Sequence, residues 1–397
     1  MTIPVMLAAG RRTPFGDFGR SLRDVPLSQL GAHATRAAIG AAGLEPSRLD
    51  HLVFGNVTPV DHDGFFISRK VALEAGLPVV SSALTVNRAC GSGTEAIASA
   101  ARLVQSGSSR LGIAAGGENF SRVPYLVESA RWGAKRGPVT MTDGLDYTYR
   151  CPFGRELMGE TAEALADLGG YTREAMDEWG LMSQNRARGA IDSGFLARQI
   201  APIEVAEGKG TRLFDTDEFP RAVTAEKLAS LRPAFRTDGR VTAGNSSGVT
   251  DGAAALVIGA EDAFAEAGIV PEARWLDTVT IGVDPQIMGA GPAPAIGLLL
   301  ERHGLRVDDI DYWEINEAFA VVNLHAEAIH TIPRELTNLY GGGISIGHPP
   351  GATGLRMAMT AMHHLADTGG RYAVIAMCLG GGQGMATLIE QAGKAGA

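Results

Sequence analysis

The sequence predicts an α/β fold with a mainly parallel sheet, an internal duplication and an inserted segment. Apolar, β-branched runs alternate with stretches whose apolar residues recur at helical spacing, which is typical of α/β sandwiches. A polar segment over residues 119–245 lacks long β runs. On either side of it the same order of loop, helix, strand and glycine-rich turn occurs, which indicates a duplicated unit.

The predicted elements follow this division. In the first half, one strand is predicted to begin at Pro4, and further strands are predicted over residues 52–54, 82–86 and 110–115. Helices are predicted over residues 27–42, 67–75 and 94–105. The inserted segment is predicted to hold helices over 159–168 and 173–191. In the second half, strands are predicted over 253–260, 275–283, 311–314 and 372–377, with helices over 294–303 and 318–330. We expect an N-terminal half of residues 1–118 plus 246–271, an inserted segment of residues 119–245 and a C-terminal half of residues 272–397.

A single cysteine, Cys90, lies where a predicted strand passes into a predicted helix. Unpaired N–H groups and the helix dipole favour negative charge at such a position, so we expect the thiolate to be stabilised. Gly91 and Gly93 keep side-chain bulk away from the sulfur. A free cysteine is also commonly a small buried hydrophobe, and the residue alone leaves that alternative open.

The duplication places His348 in the second half where Cys90 lies in the first. Each residue precedes a helix that is followed by a strand and a glycine-rich turn. A pseudo-twofold relation between the halves would bring the two loop-to-helix junctions together, so we expect Cys90 and His348 to face each other. Taken alone, His348 is more typical of a turn or capping residue.

Composition excludes several classes of function. The net charge of −9 argues against general affinity for nucleic acid or an anionic membrane. The cysteines at positions 90, 151 and 378 are odd in number and widely spaced, which argues against a disulfide framework and favours a reducing compartment. We find no signal peptide, membrane span or close-spaced metal-ligand pair, so a cytoplasmic protein without a metal is expected.

Four motifs in order give the chain a resemblance to the thiolase family. They are Val86–Gly93, Asn316–Phe319, Gly347–Pro349 and Cys378–Gly384. The resemblance covers essentially the whole chain. It implies a duplicated αβαβα layered sandwich with an inserted loop domain, and reversible Claisen condensation or thiolytic cleavage of 3-oxoacyl-CoA with CoA.

The resemblance also implies catalytic roles. Cys90 is the nucleophile that carries the acyl group as a thioester, and His348 accepts its proton. Cys378 moves the α-proton of the acetyl group. One oxyanion hole uses His348 with a water held by Asn316, and the other uses the backbone N–H groups of Cys90 and Gly380.

Coenzyme A and acyl-CoA are the substrates that the resemblance implies, with no tightly bound cofactor. Ser247 would contact the pantetheine arm, and Arg221 and Phe235 would lie near the nucleotide. The thioester end would be lined by Met158, Ala243, Met288 and Phe319, although core packing explains Met288 and Phe319 equally well. A homodimer or homotetramer is expected from the family.

Some positions depart from the family or match none of its motifs. Many relatives that act on acetoacetyl-CoA carry histidine before the Met-Gly pair, where this chain has Leu157, so we expect tolerance for longer acyl chains. Pro350 replaces a residue that is often aliphatic. We interpret Cys151 as structural, and His363 and His364 as a pair on a solvated helix surface.

Three other classes of protein fit the sequence less well than a thiolase. A ketoacyl-synthase-like condensing enzyme pairs one cysteine with two histidines, or with histidine and asparagine, which leaves Cys378 unexplained. A catalytically silent acyl-CoA or lipid-binding protein of the same shape would be expected to lack Cys90, His348 or Cys378, and all three are present. A dinucleotide-binding oxidoreductase would need a Gly-x-Gly-x-x-Gly motif in its first βαβ unit, which is missing.

Overall fold

A large β-sheet with helices on both faces forms the framework of the protein, in a computed structural model that describes residues 3–154 and 156–394. The strands are β1 (Val5–Arg12), β2 (Gly16–Asp17), β3 (His51–Gly55), β4 (Ser82–Val86), β5 (Leu111–Glu118), β6 (Tyr125–Leu126), β7 (Thr142–Asp143), β8 (Ile203–Glu207), β9 (Gly210–Phe214), β10 (Thr250–Ala260), β11 (Ala273–Gly282), β12 (Tyr312–Ile315), β13 (Tyr372–Leu379) and β14 (Gln383–Gln391). The helices are α1 (Leu27–Ala41), α2 (Ile67–Glu74), α3 (Ser92–Gln105), α4 (Gly144–Tyr149), α5 (Met158–Gly169), α6 (Arg173–Asp192), α7 (Ala225–Ala229), α8 (Glu261–Ala267), α9 (Pro292–His303), α10 (Ala320–His330) and α11 (Pro350–Thr368). The outer ends of the predicted halves, residues 1–2 and 395–397, lie outside the described residues.

The α/β class is confirmed, but the expectation of a mainly parallel sheet is wrong. The strand order is β12-β13-β14-β11-β1-β10-β5-β3-β4, with β2 beside β10. Strands β3–β4, β3–β5 and β12–β13 pair in parallel, whereas β1, β10, β11 and β14 pair antiparallel with their neighbours. The three glycines between β13 and β14 are too few for a crossover connection, so these strands must form a hairpin.

Helices α3 and α11 form the central layer between the two halves of the sheet. Helix α11 contacts strands of both halves, among them β5, β10 and β13, and packs along α3. Helix α1 packs on β1 and β10, while α9 packs on β11 and β14. This gives the layered αβαβα arrangement, and the hydrogen bonds between β1 and β11 join the two halves into one sheet.

The predicted elements agree with the observed ones to within three residues at each end. Strand β14 was not predicted, and neither was the short β8–β9 hairpin in the inserted segment. In the described ranges, no helix combines the length and the apolar character needed to cross a bilayer.

The interpretation of His363 and His364 as a solvated pair is wrong. Both lie on α11 and are buried, with exposures of 8% and 6%. Since α11 is covered by both halves of the sheet as far as Leu365, the polar side chains in this part of the helix lack a route to solvent. Burial lowers the pKa of His363 to about 4, because the imidazolium loses its hydration, and the charges of Arg198 and Arg11 lower it further, although a Glu272 carboxylate oxygen lies 3.9 Å from Nε2.

We therefore predict that His363 makes the fold acid-sensitive. Its folded pKa is below the ordinary value of 6.5, so the unfolded state binds the proton first and stability falls as the pH drops from 6.5 towards 4. At full effect the contribution is on the order of 3 kcal/mol. His363→Leu should flatten the dependence of the unfolding free energy on pH, measured by urea denaturation. His62→Leu is the control, because the His62 side chain is 92% exposed; equal slopes for the two variants would contradict the prediction.

Candidate active site

One cavity of about 540 Å³ contains most of the predicted catalytic residues. It lies at the edge of the sheet where β4, β5 and β13 end, beside the N termini of α3 and α11. Its walls include Val57, Ala89, Cys90, Phe120, Leu145, Tyr149, Leu157, Met158, Phe235, Ser247, Met288, Phe319, His348, Pro350 and Gly380. The walls are mostly apolar, and the polar residues Asp146, Thr148, Arg150 and Ser246 also contribute to them, as is usual for sites that bind small molecules.

The two loop-to-helix junctions meet at this cavity through glycines. A Cβ added to Gly93 would lie 2.7 Å from the Gly351 carbonyl oxygen, and one added to Gly354 would collide with the backbone of Thr94. Only glycine permits this approach between α3 and α11. Cys90 and His348 consequently line the same cavity, as the duplication predicts.

Cys90 is held on a tight turn before α3. The preceding residue, Ala89, has a φ of 45°, a left-handed conformation that is costly for alanine. The Ser92 hydroxyl fixes the turn, since it accepts a hydrogen bond from the Arg88 N–H at 2.9 Å and donates one to the Ala89 carbonyl at 2.7 Å. The turn presents the Cys90 side chain, which is half-buried, to the cavity.

The expectation of a stabilised Cys90 thiolate is not met in the resting site. Burial raises the pKa of Cys90 above its ordinary value, and the nearby charge of Glu118 acts in the same direction. The backbone N–H groups of Gly380 and Cys90 itself lower it, but by less than burial raises it. Cys90 is therefore a thiol at neutral pH and needs a base to become a nucleophile.

His348 has the tautomer that a base requires. Its Nδ1 lies 2.7 Å from the Thr353 hydroxyl oxygen. That hydroxyl donates its proton to the Pro349 carbonyl at 2.9 Å, so Nδ1 must carry the hydrogen and donate to it. Nε2 then carries the lone pair and accepts a long hydrogen bond from the Asn316 amide nitrogen at 3.4 Å. Burial, with a smaller effect of Arg356, lowers the pKa of His348 to about 3, so the ring is neutral over the physiological range.

Asn316 follows β12 and is buried behind His348. Its Oδ1 atom has no hydrogen-bond partner among the described residues, so its acceptor capacity is unused. The next residue, Glu317, fixes this turn through its buried carboxylate. Glu317 accepts hydrogen bonds from Trp179 Nε1 at 3.1 Å and Ser183 Oγ at 2.6 Å on α6, and from the Ile344 N–H at 3.2 Å in the loop before His348.

Cys378 lies at the end of β13 and is fully buried. Burial raises the pKa of its thiol well above the ordinary value, and the charge on a Cys90 thiolate would raise it further. Cys378 does not itself line the cavity, but it lies two residues before Gly380, which does. Gly380 follows on the glycine-rich turn and directs its N–H towards Cys90. A Cβ at Gly380 would approach Met158 Cε to 3.1 Å, so glycine keeps this part of the cavity open.

The residues predicted to bind CoA divide into two groups. Ser247, Phe235, Met158, Met288 and Phe319 line the cavity, with the rings of Phe235 and Phe319 packed edge to face at 6.2 Å. Arg221 and Ala243 are exposed and do not line it. The Arg221 guanidinium stacks on the Phe219 ring at 4.4 Å, outside the cavity wall.

Sequence reasoning missed several residues that build the site. Thr353 bonds to His348, Glu317 and Glu118 bond to backbone N–H groups of Ile344 and Thr58, and Tyr149 lines the cavity. The glycine-rich turn containing Glu118 did stand out in the duplication, so the signal was present without a role attached to it. Within residues 3–154 and 156–394, no group of three or more His, Cys, Asp or Glu side chains could hold a metal ion.

Two family models match the chain. The thiolase N-terminal domain matches residues 5–262 and the thiolase C-terminal domain matches residues 269–391. The beta-ketothiolase BktB of Cupriavidus necator is 42% identical over 98% of this chain and 100% of its own length. The mitochondrial 3-ketoacyl-CoA thiolase of Homo sapiens is 39% identical over 97% of this chain and 98% of its own.

Solved structures give the same result. The crystal structure of human mitochondrial 3-ketoacyl-CoA thiolase superimposes with a TM-score of 0.96 at 39% identity, covering 98% of this chain and 99% of that one. The same human enzyme in complex with CoA gives a TM-score of 0.95 at 38% identity, with 98% of each chain covered. The fold, the site and these relatives define an acyltransferase. The chain belongs to the thiolase family, whose reaction is reversible condensation or thiolytic cleavage of 3-oxoacyl-CoA.

Proposed function

We propose that the chain cleaves or forms 3-oxoacyl-CoA through an acyl-enzyme on Cys90, by a ping-pong mechanism. The observation that carries this proposal is the meeting of Cys90, neutral His348 and the Gly380 N–H in one cavity, with Cys378 two residues before Gly380 at the end of β13. One thiol forms the covalent bond while the other transfers a proton, which is the division of labour that this reaction needs.

In the first half of the cleavage reaction, His348 Nε2 accepts the Cys90 proton and the sulfur bonds to the 3-oxo carbon. The bond between C2 and C3 then breaks, and the acetyl-CoA enolate receives a proton from Cys378. The raised pKa of Cys378 suits this role, because the group is a thiol before the step. Acetyl-CoA leaves, and the acyl group remains on Cys90.

In the second half, the thiol of free CoA gives its proton to the Cys378 thiolate and attacks the acyl-enzyme. The bond between Cys90 sulfur and the acyl carbon breaks, and His348 returns the proton to Cys90. Two oxyanions form in sequence. We assign one to the Cys90 and Gly380 N–H groups and the other to His348 with a water held by Asn316, each donor contributing roughly 3 kcal/mol.

CoA binding is proposed for both groups of predicted residues. Ser247, Phe235, Met158, Met288 and Phe319 would surround the pantetheine arm and the thioester, since they line the cavity. The exposed pair, Arg221 and Ala243, would meet the parts of CoA outside it. Most of the proposed contacts with CoA therefore come from the inserted segment, residues 119–245. The two halves that we propose on either side of it are residues 1–118 plus 246–271 and residues 272–397.

We also propose a homodimer or homotetramer in the cytoplasm. Val79 and Val80 are 78% and 93% exposed just before β4, which is an edge strand of the sheet, and Leu84 on that strand is 43% exposed. Exposed apolar groups on a sheet edge favour association. The three free cysteines fit a reducing compartment.

Thiolysis tests the proposed function directly. The chain is mixed with acetoacetyl-CoA or a longer 3-oxoacyl-CoA and free CoA, and the loss of the substrate's enolate absorbance is followed. Release of acetyl-CoA together with a shortened acyl-CoA would support the proposal. Binding of CoA without any cleavage of either substrate would instead indicate a silent acyl-CoA-binding protein.

We predict that Leu157 broadens the range of acyl chains. It lines the cavity before α5 and offers an apolar surface where a histidine would place a polar group. Wild-type kcat/KM should remain high from acetoacetyl-CoA to medium chain lengths, and Leu157→His should lower it for the longer substrates by about tenfold or more. Leu168→His is the control, because Leu168 lies on α5 but is 65% exposed. Wild-type activity confined to acetoacetyl-CoA would contradict the prediction.

A further inference from the structure

We propose that Glu118 is a positioning residue for the thiolase reaction, whose carboxylate holds the helix after His348 against the loop that walls the cavity beside Cys90. This inference rests on the proposed function for its effect on turnover. Glu118 lies outside the four thiolase motifs of the chain. Glu118 is the last residue of β5 and is fully buried.

The Glu118 carboxylate accepts four hydrogen bonds from two separate segments. Oε1 accepts from Asn56 Nδ2 at 2.7 Å and from the Thr58 N–H at 2.8 Å. Oε2 accepts from the Val57 N–H at 3.2 Å and from the Gly351 N–H at 3.3 Å. Val57 lines the cavity with Cys90, and Gly351 lies in the first turn of α11. One carboxylate therefore ties the cavity wall to the helix that follows His348.

The start of α11 explains why a buried hydrogen-bond acceptor is needed there. Pro349 and Pro350 have no N–H, so Gly351 supplies the first donor of the helix N terminus. The N–H groups of Ala352 and Thr353 already bond to the Pro349 carbonyl at 2.9 Å. A buried carboxylate on the Gly351 N–H also interacts favourably with the helix dipole. The helix that follows His348 is thus anchored before any substrate arrives.

The duplication relates Glu118 to Cys378. Gly55 of β3 pairs with Gly116 of β5, and Ile315 of β12 pairs with Ala376 of β13. Asn56 directly follows Gly55, as Asn316 directly follows Ile315. Glu118 lies two residues after Gly116, as Cys378 lies two residues after Ala376. Glu118 thus occupies, in the N-terminal half, the position that holds the proposed proton-transfer thiol in the other half.

Glu118 also acts on the nucleophile through its charge. The titratable groups around Cys90 include Glu118, Cys378, Tyr149 and His348, and Asp146 and Arg150 line the same cavity. Among these, the Glu118 carboxylate raises the pKa of Cys90. Burial raises the pKa of Glu118 itself to about 8, against the backbone N–H groups that favour its ionised form. Because the pKa of Cys90 is raised above its ordinary value of 9.0, Glu118 is ionised in the pH range where Cys90 loses its proton. Removal of this carboxylate should therefore make the Cys90 thiolate easier to form.

Two substitutions in the full chain separate geometry from charge. Glu118→Asp keeps the charge, but it is one methylene too short to reach both Thr58 and Gly351. We expect kcat for thiolysis to fall by about 100-fold with a smaller change in KM, and the pH midpoint of Cys90 alkylation by iodoacetamide to stay where it is. Glu118→Gln removes the charge, so kcat should fall and the alkylation midpoint should move down by about one pH unit. Mass spectrometry of the Cys90 peptide reads the alkylation without interference from Cys151 or Cys378.

Glu163→Gln is the matched control. Glu163 is an equally buried carboxylate that accepts N–H bonds from Arg240 and Val241, but it does not line the cavity. It should leave both kcat and the Cys90 midpoint unchanged.

If the wild type is active and both Glu118 variants behave like Glu163→Gln, the positioning role is wrong while the thiolase function stands. If the wild type does not cleave 3-oxoacyl-CoA, the proposed function fails, and the alkylation midpoint of Glu118→Gln still decides the link to Cys90. Loss of the folded state in both Glu118 variants, seen by circular dichroism, would assign the carboxylate to stability alone and overturn the proposal.

Discussion

Cys90→Ser is expected to lower thiolysis by at least about a thousandfold, because it removes the atom that carries the acyl group. A serine hydroxyl is far less acidic than a thiol, and His348, with its pKa lowered to about 3, is too weak a base to activate it. The variant should show no burst of acyl-enzyme when mixed with acetyl-CoA labelled in the acetyl group. Acid-quenched protein, counted for bound label, gives this measurement.

Cys151→Ser is the control for this loss. Cys151 is a buried thiol that neighbours two residues of the cavity wall without lining the cavity itself. It should retain the burst and most of the turnover. A Cys90→Ser protein that still accumulates one acetyl group per chain would show that another side chain is the nucleophile.

Cys378→Ala is expected to separate the two halves of the reaction. Cys90 and His348 remain, so acetyl-CoA should still label the protein with one acetyl group per chain. Condensation to acetoacetyl-CoA should fall by about 10³-fold, since no group removes the α-proton of the second acetyl-CoA. Stopped-flow or quenched labelling follows the first step, and product formation follows the second.

The pattern of loss decides the role of Cys378. Equal loss of labelling and of condensation would place Cys378 in the first chemical step or in the fold, and not in proton transfer to carbon. Far-UV circular dichroism distinguishes those cases. Little loss in either step would remove Cys378 from the mechanism.

Local sequence was sufficient to predict the residues that meet in the cavity. Cys90 and His348 precede helices, and the repeated order of elements placed the two junctions opposite each other. Helix and strand bounds followed from hydrophobic periodicity. Strand β14 was missed because Gln383–Gln391 follows a glycine run and includes polar residues that the fold nevertheless buries.

Features that depend on distant segments were not visible in local sequence. The donors to Glu118 come from 60 and 233 residues away, which no local pattern encodes. The helix effect on Cys90 could be read from the sequence, but the larger effect of burial on its pKa could not. His363 and His364 look like surface residues, yet α11 is enclosed by both halves of the sheet.

The seam between β1 and β11 restricts how substrates reach the cavity. Val5, Met6 and Leu7 pair with Trp275, Arg274 and Ala273, so main-chain hydrogen bonds cross from one half to the other. Helix α11 adds packing against strands of both halves. A hinge motion that separated the halves would have to break these hydrogen bonds and the packing of α11. Opening between the halves would therefore cost much free energy as a way to admit substrate. Entry of CoA and release of product are therefore expected to depend on small motions of the inserted segment over a rigid base.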